Sequence, residues 1–289
     1  MIAKKTALLC FGLGATLLAA RADAQPETGP DAKPAAAATA GAEGTDQLTL
    51  PKGRAVLNAF LEINLSSDNA FKPISISPDV WYGATDDITV GLVHSAAGST
   101  GFIGGVGTSL CLSGSDGGCS DLYRNVGFEA RYKLKTGEFV WAADGGLYVL
   151  HFSDPFQLAI KLGAVGRWHS GQLAVELQPN LFFGLTNRTP PTVMGATVAT
   201  ATNQEVLNLP ATAIYAVTPM ISVLGQLGFV LPFENTGDAY AIPLSIGGSY
   251  HVNESLDVTL AFSLPKLVGG GPGNGVDTRS LTLGGTYAF

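Results

Sequence analysis

Ten charged side chains stand at alternate positions in segments whose other alternate positions are apolar. Successive residues of a β-strand point to opposite faces, so the charges of each segment share one face of a sheet. Charges of opposite sign recur on consecutive segments, within cross-strand reach of one another. Enclosed charges must pair or stay hydrated, so the pattern predicts either the lining of a narrow aqueous passage or a paired network within a wall. The ten residues are Glu62, Asp79, Glu129, Arg131, Lys133, Asp144, Lys161, Arg167, Glu176 and Asp257.

Two cysteines, Cys111 and Cys119, lie in the longest stretch between apolar segments. In an exported protein such a pair is expected to oxidise, so we predict a disulfide between them. A metal site has less support, because Asp116 and Asp121 in the same stretch do not follow a calcium-loop pattern. No metal and no cofactor is expected.

Twelve segments of about ten residues show the period-two alternation of β-strands, and no stretch after residue 50 shows helical spacing. On the apolar face of all twelve there is no Asp, Glu, Lys or Arg. Apolar faces without charge, combined with charged opposite faces, are typical of a membrane barrel. We therefore predict an all-β fold, a single antiparallel transmembrane β-barrel of about twelve strands. The segments are 54–66, 73–84, 88–96, 123–134, 139–150, 156–169, 172–185, 205–216, 220–231, 239–251, 256–264 and 279–289.

The connections between segments alternate between tight turns and longer loops, with the short stretch 151–155 as the exception. This asymmetry is typical of outer-membrane barrels, whose short turns are periplasmic and whose long loops are extracellular. Every even-numbered segment ends at the short-turn side with an aromatic ring on its apolar face. Amphipathic rings favour the bilayer interface, so these six predict an aromatic girdle. They are Tyr82, Tyr132, Trp168, Tyr215, Tyr250 and Tyr287.

Composition and the amino-terminal region define the remaining organisation. Only 13% of the 289 residues are charged and the formal net charge is −7, without a basic block, so nucleic acid is not an expected partner. Residues 1–24 have a basic start, an apolar stretch and small residues before position 25, which predicts a cleaved secretory signal. Residues 25–51 are rich in Ala and Pro and predict a disordered linker, with a segment that plugs the lumen or contacts the cell wall as the alternative. Residues 52–289 form the predicted barrel.

The carboxyl terminus carries a specific motif, with Gly284, Tyr287 and Phe289 at its key positions. The last eight residues resemble the insertion signal of Gram-negative outer-membrane β-barrel proteins. The resemblance implies location in the cell outer membrane, contact with its lipid, and recognition by the barrel-assembly machinery during insertion. It identifies no narrower family.

His151 and Ser153 form the best candidate for catalysis. Their His-x-Ser spacing resembles that of outer-membrane phospholipase A and of lipid A deacylases. Continued alternation places both side chains on the lipid-facing side. Those families follow the serine with Asn and add an orienting group on a neighbouring strand, whereas here Asp154 follows and the next segment offers only apolar residues outward. Without an orienting group the imidazole is not held as a general base, so an interfacial histidine is expected.

Three functional hypotheses follow. The leading one is a narrow porin-like channel for small polar solutes or ions, with the charged face lining the pore. The second is a non-channel barrel whose surface loops serve recognition or a structural role. The third is an outer-membrane lipid hydrolase that uses His151 and Ser153.

Overall fold

The computed structural model describes residues 48–67, 69–105, 109–119, 121–188, 192–193, 196–197, 203–234, 236–271 and 275–289. The predicted signal peptide and residues 25–47 of the predicted linker lie outside this part of the chain. Among the described residues, no helix is both long and apolar enough to cross a membrane.

Twelve antiparallel strands close into one barrel, which confirms the predicted fold. Each strand pairs with its neighbours in sequence, and the first strand pairs with the last to close the ring. The strands are β1 Ala55–Asn64, β2 Ile74–Gly83, β3 Ile88–Val93, β4 Val126–Lys135, β5 Phe139–His151, β6 Gln157–Ser170, β7 in two pieces Leu173–Leu177 and Asn180–Gly184, β8 Val206–Ala216, β9 Ile221–Pro232, β10 Ala241–Asn253, β11 Leu256–Gly269 and β12 Ser280–Ala288.

The alternation seen in the sequence becomes an apolar outside and a polar inside. In β4, Phe128 and Tyr132 point outward and are exposed, while Glu129 and Arg131 point inward and are buried. The six aromatic residues of the predicted girdle are all exposed, and strand pairing places them at one end of the barrel, the short-turn rim. Tyr82 pairs there with Ala55, Tyr132 with Ile88 and Trp168 with Phe139. The opposite end is called the long-loop rim.

Three differences from the predicted strands have an identifiable place in the fold, and they are in β3, β7 and β11. β3 ends at Val93 rather than at residue 96, because Ser95 caps a short helix, α1, at Ala96–Ser99. β7 is interrupted at Gln178 and Pro179, where proline lacks the N–H that a continuous ladder needs. β11 continues to Gly269, five residues beyond the predicted end.

The remaining short elements all lie in connections between the barrel strands. They are the short strands Leu110–Cys111, Thr192–Val193 and Ala196–Thr197, the helix α2 at Thr236–Ala239, and 3₁₀ turns at Ser115–Gly117 and Gly275–Asp277.

The chain between β3 and β4 also completes the barrel wall. Because β3 is short, the long-loop half of β2 pairs instead with Leu110–Cys111, where Ser75 lies opposite Cys111. Leu110 in turn bridges to Tyr123, just before β4. The predicted disulfide is present: Cys111 and Cys119 are bonded, with Cα atoms 6.0 Å apart. The disulfide therefore closes a loop that forms part of the wall.

The end of the predicted linker is ordered inside the barrel. Leu48, Thr49 and Leu50 are buried, although they fall within the predicted disordered range. Leu50 N donates to Thr89 Oγ1 at 2.6 Å, and Leu48 packs against inward side chains of β5 and β6. These two leucines supply the apolar surface that makes their burial favourable.

The lumen as candidate functional site

Residues 94–105, here called the inserted segment, leave the end of β3 and cross the interior of the barrel. Their backbone is held by side chains from strands all around the wall. Lys161 Nζ donates to Gly98 O at 3.2 Å from β6, and Gln226 Nε2 donates to Gly101 O at 2.8 Å from β9. The opposite end returns to β1, where Gly105 N donates to Glu62 Oε1 at 2.8 Å. The lumen is therefore divided by the protein's own chain.

Asp79 anchors the beginning of the inserted segment. Its Oδ1 accepts from the backbone N–H of His94 at 2.7 Å and of Ser95 at 2.8 Å, and its Oδ2 accepts from Ser95 Oγ at 2.5 Å. His94 Nε2 lies 2.7 Å from the hydroxyl of Tyr123, whose pKa is raised above its ordinary value by burial. The turn from β3 into the lumen thus depends on an inward carboxylate of the neighbouring strand.

Four of the predicted inward charges meet in one buried cluster. Lys161 Nζ lies 2.8 Å from Glu129 Oε2 and 2.8 Å from Asp144 Oδ2, and its side chain is fully buried. Arg131 Nε lies 3.6 Å from Glu129 Oε1, and its guanidinium stacks 4.2 Å above the Trp81 ring. Tyr148, which sequence analysis did not single out, donates its hydroxyl to Glu129.

The other predicted inward charges form separate contacts along the wall. Glu62 lies within 3.4 Å of the hydroxyls of Ser75 and Ser77. Three contacts between basic and acidic side chains are more accessible to solvent: Arg167 Nη2 with Glu176 Oε2 at 2.7 Å, Lys133 Nζ with Asp87 Oδ1 at 2.8 Å, and His251 Nδ1 with Asp257 Oδ1 at 2.5 Å.

Uncharged side chains hold the middle of the inserted segment. The sequence analysis missed them because it identified inward-facing functional residues by their charge. Asn180 Nδ2 donates to Thr100 O at 2.8 Å, and Gln226 Oε1 accepts from Ile103 N at 2.8 Å. Both amides come from inward positions, Asn180 on β7 and Gln226 on β9. For Gln226, a long polar residue at an inward position between Ser222 and Gly228 is the signal that could have indicated a lumen contact.

Two glycines of the inserted segment are tightly packed. Gly101 and Gly104 have φ of +83° and +90°, a conformation that L side chains rarely adopt. A Cβ at Gly101 would lie 2.7 Å from Pro210 Cγ, and one at Gly104 would lie 2.7 Å from Ser263 Cβ. Both positions therefore require glycine for backbone angle and for space.

Two cavities flank the inserted segment. The upper chamber, toward the long-loop rim, has a volume of about 590 Å³ and includes Ser99, Thr100 and Phe102 of the segment in its lining. The lower chamber, on the other side of the segment, has a volume of about 40 Å³ and includes Ala97, Gly101 and Ile103. The inserted segment is thus the constriction between a wide and a narrow part of the lumen.

His151 and Ser153 have a different environment from the one expected. His151 contributes to the lining of the upper chamber instead of facing outward, because the pairing of β5 with β6 shifts register between Val149 and His151. The orienting group that the sequence analysis did not find is Asp121, two residues after Cys119. Its Oδ2 lies 2.7 Å from His151 Nε2, and its Oδ1 accepts from Ser153 Oγ at 2.8 Å.

Comparison of the sequence finds no matching family model and no significantly similar curated protein. Solved structures do share the fold. The NanC porin superposes with a TM-score of 0.54 at 10% identity, over 80% of this chain and 98% of its own. An outer membrane channel from Pseudomonas putida F1 gives a TM-score of 0.53 at 14% identity, over 83% of this chain and 97% of its own. The chain therefore has the fold of outer-membrane porins and channels.

Proposed function

We propose that this protein is a narrow porin-like channel in the outer membrane of a Gram-negative bacterium. The observation that carries the proposal is the inserted segment with a chamber on each side. Eight strands enclose a barrel that side chains just fill and sixteen leave a wide pore, so twelve strands leave an intermediate lumen. A segment that crosses such a lumen reduces it to a passage suited to small polar solutes or ions.

The charged wall has two roles in this proposal. Glu62, Asp79 and Lys161 hold the inserted segment in place, since each hydrogen-bonds its backbone. The more accessible pairs, such as Arg167 with Glu176, are the charges that solutes in the lower part of the lumen would meet. Charges that line a passage tune its selectivity for solutes, whereas charges buried in the wall affect the stability of the barrel.

A second candidate is a barrel with a closed lumen whose loops serve recognition. It is favoured by the number of contacts that fix the inserted segment and by the burial of Leu48, Thr49 and Leu50 near the short-turn rim. This candidate expects no ion flow through the purified protein.

We propose that the third candidate, a lipid hydrolase, is not the function of this protein. Asp121 supplies an acid, but Ser153 Oγ donates to Asp121 directly. His151 Nδ1 lies 3.4 Å from Ser153 Oγ, farther than Asp121 Oδ1, which accepts from that hydroxyl at 2.8 Å. The hydroxyl proton of Ser153 is therefore directed to the carboxylate, and not to the imidazole that would have to serve as general base. Incubation of the purified barrel with phospholipid vesicles should release no fatty acid.

Planar-bilayer recording of the purified, refolded barrel tests the proposal. We expect discrete current steps of uniform size in potassium chloride. Absence of steps in several lipid compositions, with a folded barrel verified by circular dichroism, would favour the closed barrel.

A further inference from the structure

Residues 48–50, here called the amino-terminal segment, lie inside the barrel at its short-turn end. The two leucines of this segment, Leu48 and Leu50, have exposed fractions of only 6% and 5%. Leu50 N donates to Thr89 Oγ1 at 2.6 Å. The backbone also passes so close to β2 that a Cβ at Gly83 would lie 2.7 Å from Leu50 O. The amino-terminal segment is therefore a packed part of the lumen, and it is fixed to β2 and β3.

Leu48 occupies the level between the short-turn rim and the buried charged cluster. It packs against Ala142 of β5 and Val165 of β6, which both point inward. Asp144 is the next inward residue of β5 after Ala142, because alternate residues of a strand share one face. Its Oδ2 lies 2.8 Å from Lys161 Nζ. Leu48 therefore lies one inward position below this ion pair, on the side that faces the short-turn opening.

Leu50 adjoins the neighbouring part of the same charged cluster. It belongs to one apolar cluster with Trp81 and Tyr148. The Trp81 ring stacks with the Arg131 guanidinium, whose carbon lies 4.2 Å from the ring centre, and the Tyr148 hydroxyl donates to Glu129. The two leucines thus place apolar side chains along the short-turn side of the buried charges.

The charges enclosed in this way do not balance. The carboxylates are Asp79, Glu129 and Asp144, and the cations are Arg131 and Lys161. All five side chains are more than nine-tenths buried, and three carboxylates against two cations leave one negative charge in excess. The inserted segment covers them from the long-loop side. Ions that reached this group from the short-turn side would therefore meet a lining that favours cations over anions.

The lower chamber lies in the other half of the lumen. Its described lining residues come from β1, β7, β8, β9, β11 and β12, together with the inserted segment. No residue of β2–β6 and none of the amino-terminal segment is among them. A passage through the lower chamber therefore bypasses the enclosed charges, and the amino-terminal segment occupies the half that this passage does not use.

We propose that Leu48 and Leu50 block the short-turn opening on the β2–β6 side, and that they thereby determine which half of the lumen ions and solutes enter. Apolar side chains in a narrow opening exclude water, which is how hydrophobic constrictions gate channels. Release of the two leucines would admit water to the enclosed charges and open a second, cation-favouring path beside the lower chamber. The ionic part of this inference rests on the proposed channel function, whereas the block itself does not.

Thiol accessibility tests the block independently of conductance. Ala142→Cys places a thiol at a fully buried inward position that packs against Leu48. The probe is a charged methanethiosulfonate reagent, applied to the full barrel in lipid vesicles, with the protein that lacks this substitution as the background. We expect the thiol to react about tenfold faster when Leu48→Ser and Leu50→Ser are also present, because water then reaches it. Equal rates would overturn the block.

Bilayer recording in a potassium chloride gradient tests the second path. We expect the double variant Leu48→Ser with Leu50→Ser to conduct about twofold more than the unmodified barrel, with a reversal potential shifted toward that of potassium. The matched control is Leu122→Ser, at a leucine that is 70% exposed in the connection before β4, and it should change neither quantity. Leu48→Ala is a milder change that should act in the same direction, so the test stands if the double variant does not fold.

The outcomes separate this inference from the proposed function. Unchanged conductance and reversal potential in the leucine variants, despite faster labelling at position 142, would overturn the second path. Current through the double variant but not through the unmodified barrel would support the block and overturn the proposed channel function. Absence of current in every protein would overturn both the second path and the channel.

Discussion

Lys161 is the residue on which the buried charges of the wall depend. It lies between Glu129 and Asp144 and also donates to Gly98 O of the inserted segment. A buried ion pair contributes little net stability compared with apolar packing, but removal of one partner leaves an uncompensated charge. Lys161 here compensates two carboxylates at once.

Replacement of Lys161 by Met should therefore destabilise the barrel by about 3–5 kcal/mol, because Glu129 and Asp144 would be left buried without their shared cation. Urea unfolding in lipid vesicles, followed by tryptophan fluorescence, measures the change. The matched control is Lys133→Met, whose partner Asp87 is largely exposed, and we expect a loss below about 1 kcal/mol there. Equal losses of unfolding free energy in the two variants would show that the buried charges of the wall do not depend on Lys161.

For individual residues, the sequence identified which side chains face inward but not which groups each of them contacts. Alternation within a strand determines the face of Glu129 or Lys161 from local sequence alone. The contact between Lys161 and Gly98 depends on the path of a loop 63 positions away, and no local pattern specifies it. For the same reason Asp121 was not recognised as the partner of His151, since the two are 30 positions apart.

Among the elements, the inserted segment is the one that sequence reasoning placed least well. The long connection after β3 was recognised, yet its entry into the lumen depends on side chains from distant strands, such as Asn180 and Gln226. The bulge in β5 is a second example. A single register shift between Val149 and His151 changed the side on which His151 lies, and alternation carries no signal for such shifts.

The disulfide loop gives a prediction at the same scale. Cys111 belongs to the short strand that pairs with β2, so the bond between Cys111 and Cys119 stabilises a patch of wall as well as a loop. Replacement of both cysteines by serine should lower the free energy of unfolding by about 2.5 kcal/mol according to the chain-entropy model. Thermal unfolding of oxidised, reduced and double-serine protein measures this. Identical melting of all three forms would show that the wall patch is stable without the bond.

For the whole molecule, the barrel itself was readily predicted from the sequence. Repeated local patterns determine the number of strands, the inward and outward positions of each strand, and the alternation of turns and loops. Twelve such patterns reinforce one another. Closure by β1 and β12 brings Phe289 to the seam, where its backbone N–H donates to Ala55 O at 2.9 Å and its ring packs against Tyr287 at 4.7 Å.

The terminal strand predicts how the molecule is assembled. Phe289→Ser should strongly reduce the amount of barrel in the outer membrane while export across the inner membrane continues, because only the terminal signal is altered. Quantification of the protein in separated membrane and periplasmic fractions measures this. Val252→Ser removes an exposed apolar side chain near the same rim but outside the terminal strand, and it should insert normally. Normal insertion of Phe289→Ser would contradict the assembly role.

The central claim is that the inserted segment narrows an open lumen, and single-channel recording of a paired set of proteins tests it most directly. The unmodified barrel is compared with a variant that carries Asp79→Ala and Gln226→Ala, which removes two anchors of the segment. Leu227→Ala, on the exposed outer face of the strand that carries Gln226, is the control. We predict that the unmodified protein and the control conduct equally and that the double variant conducts about twofold more. Absence of current in all three proteins, or equal conductance in all three, would contradict the account.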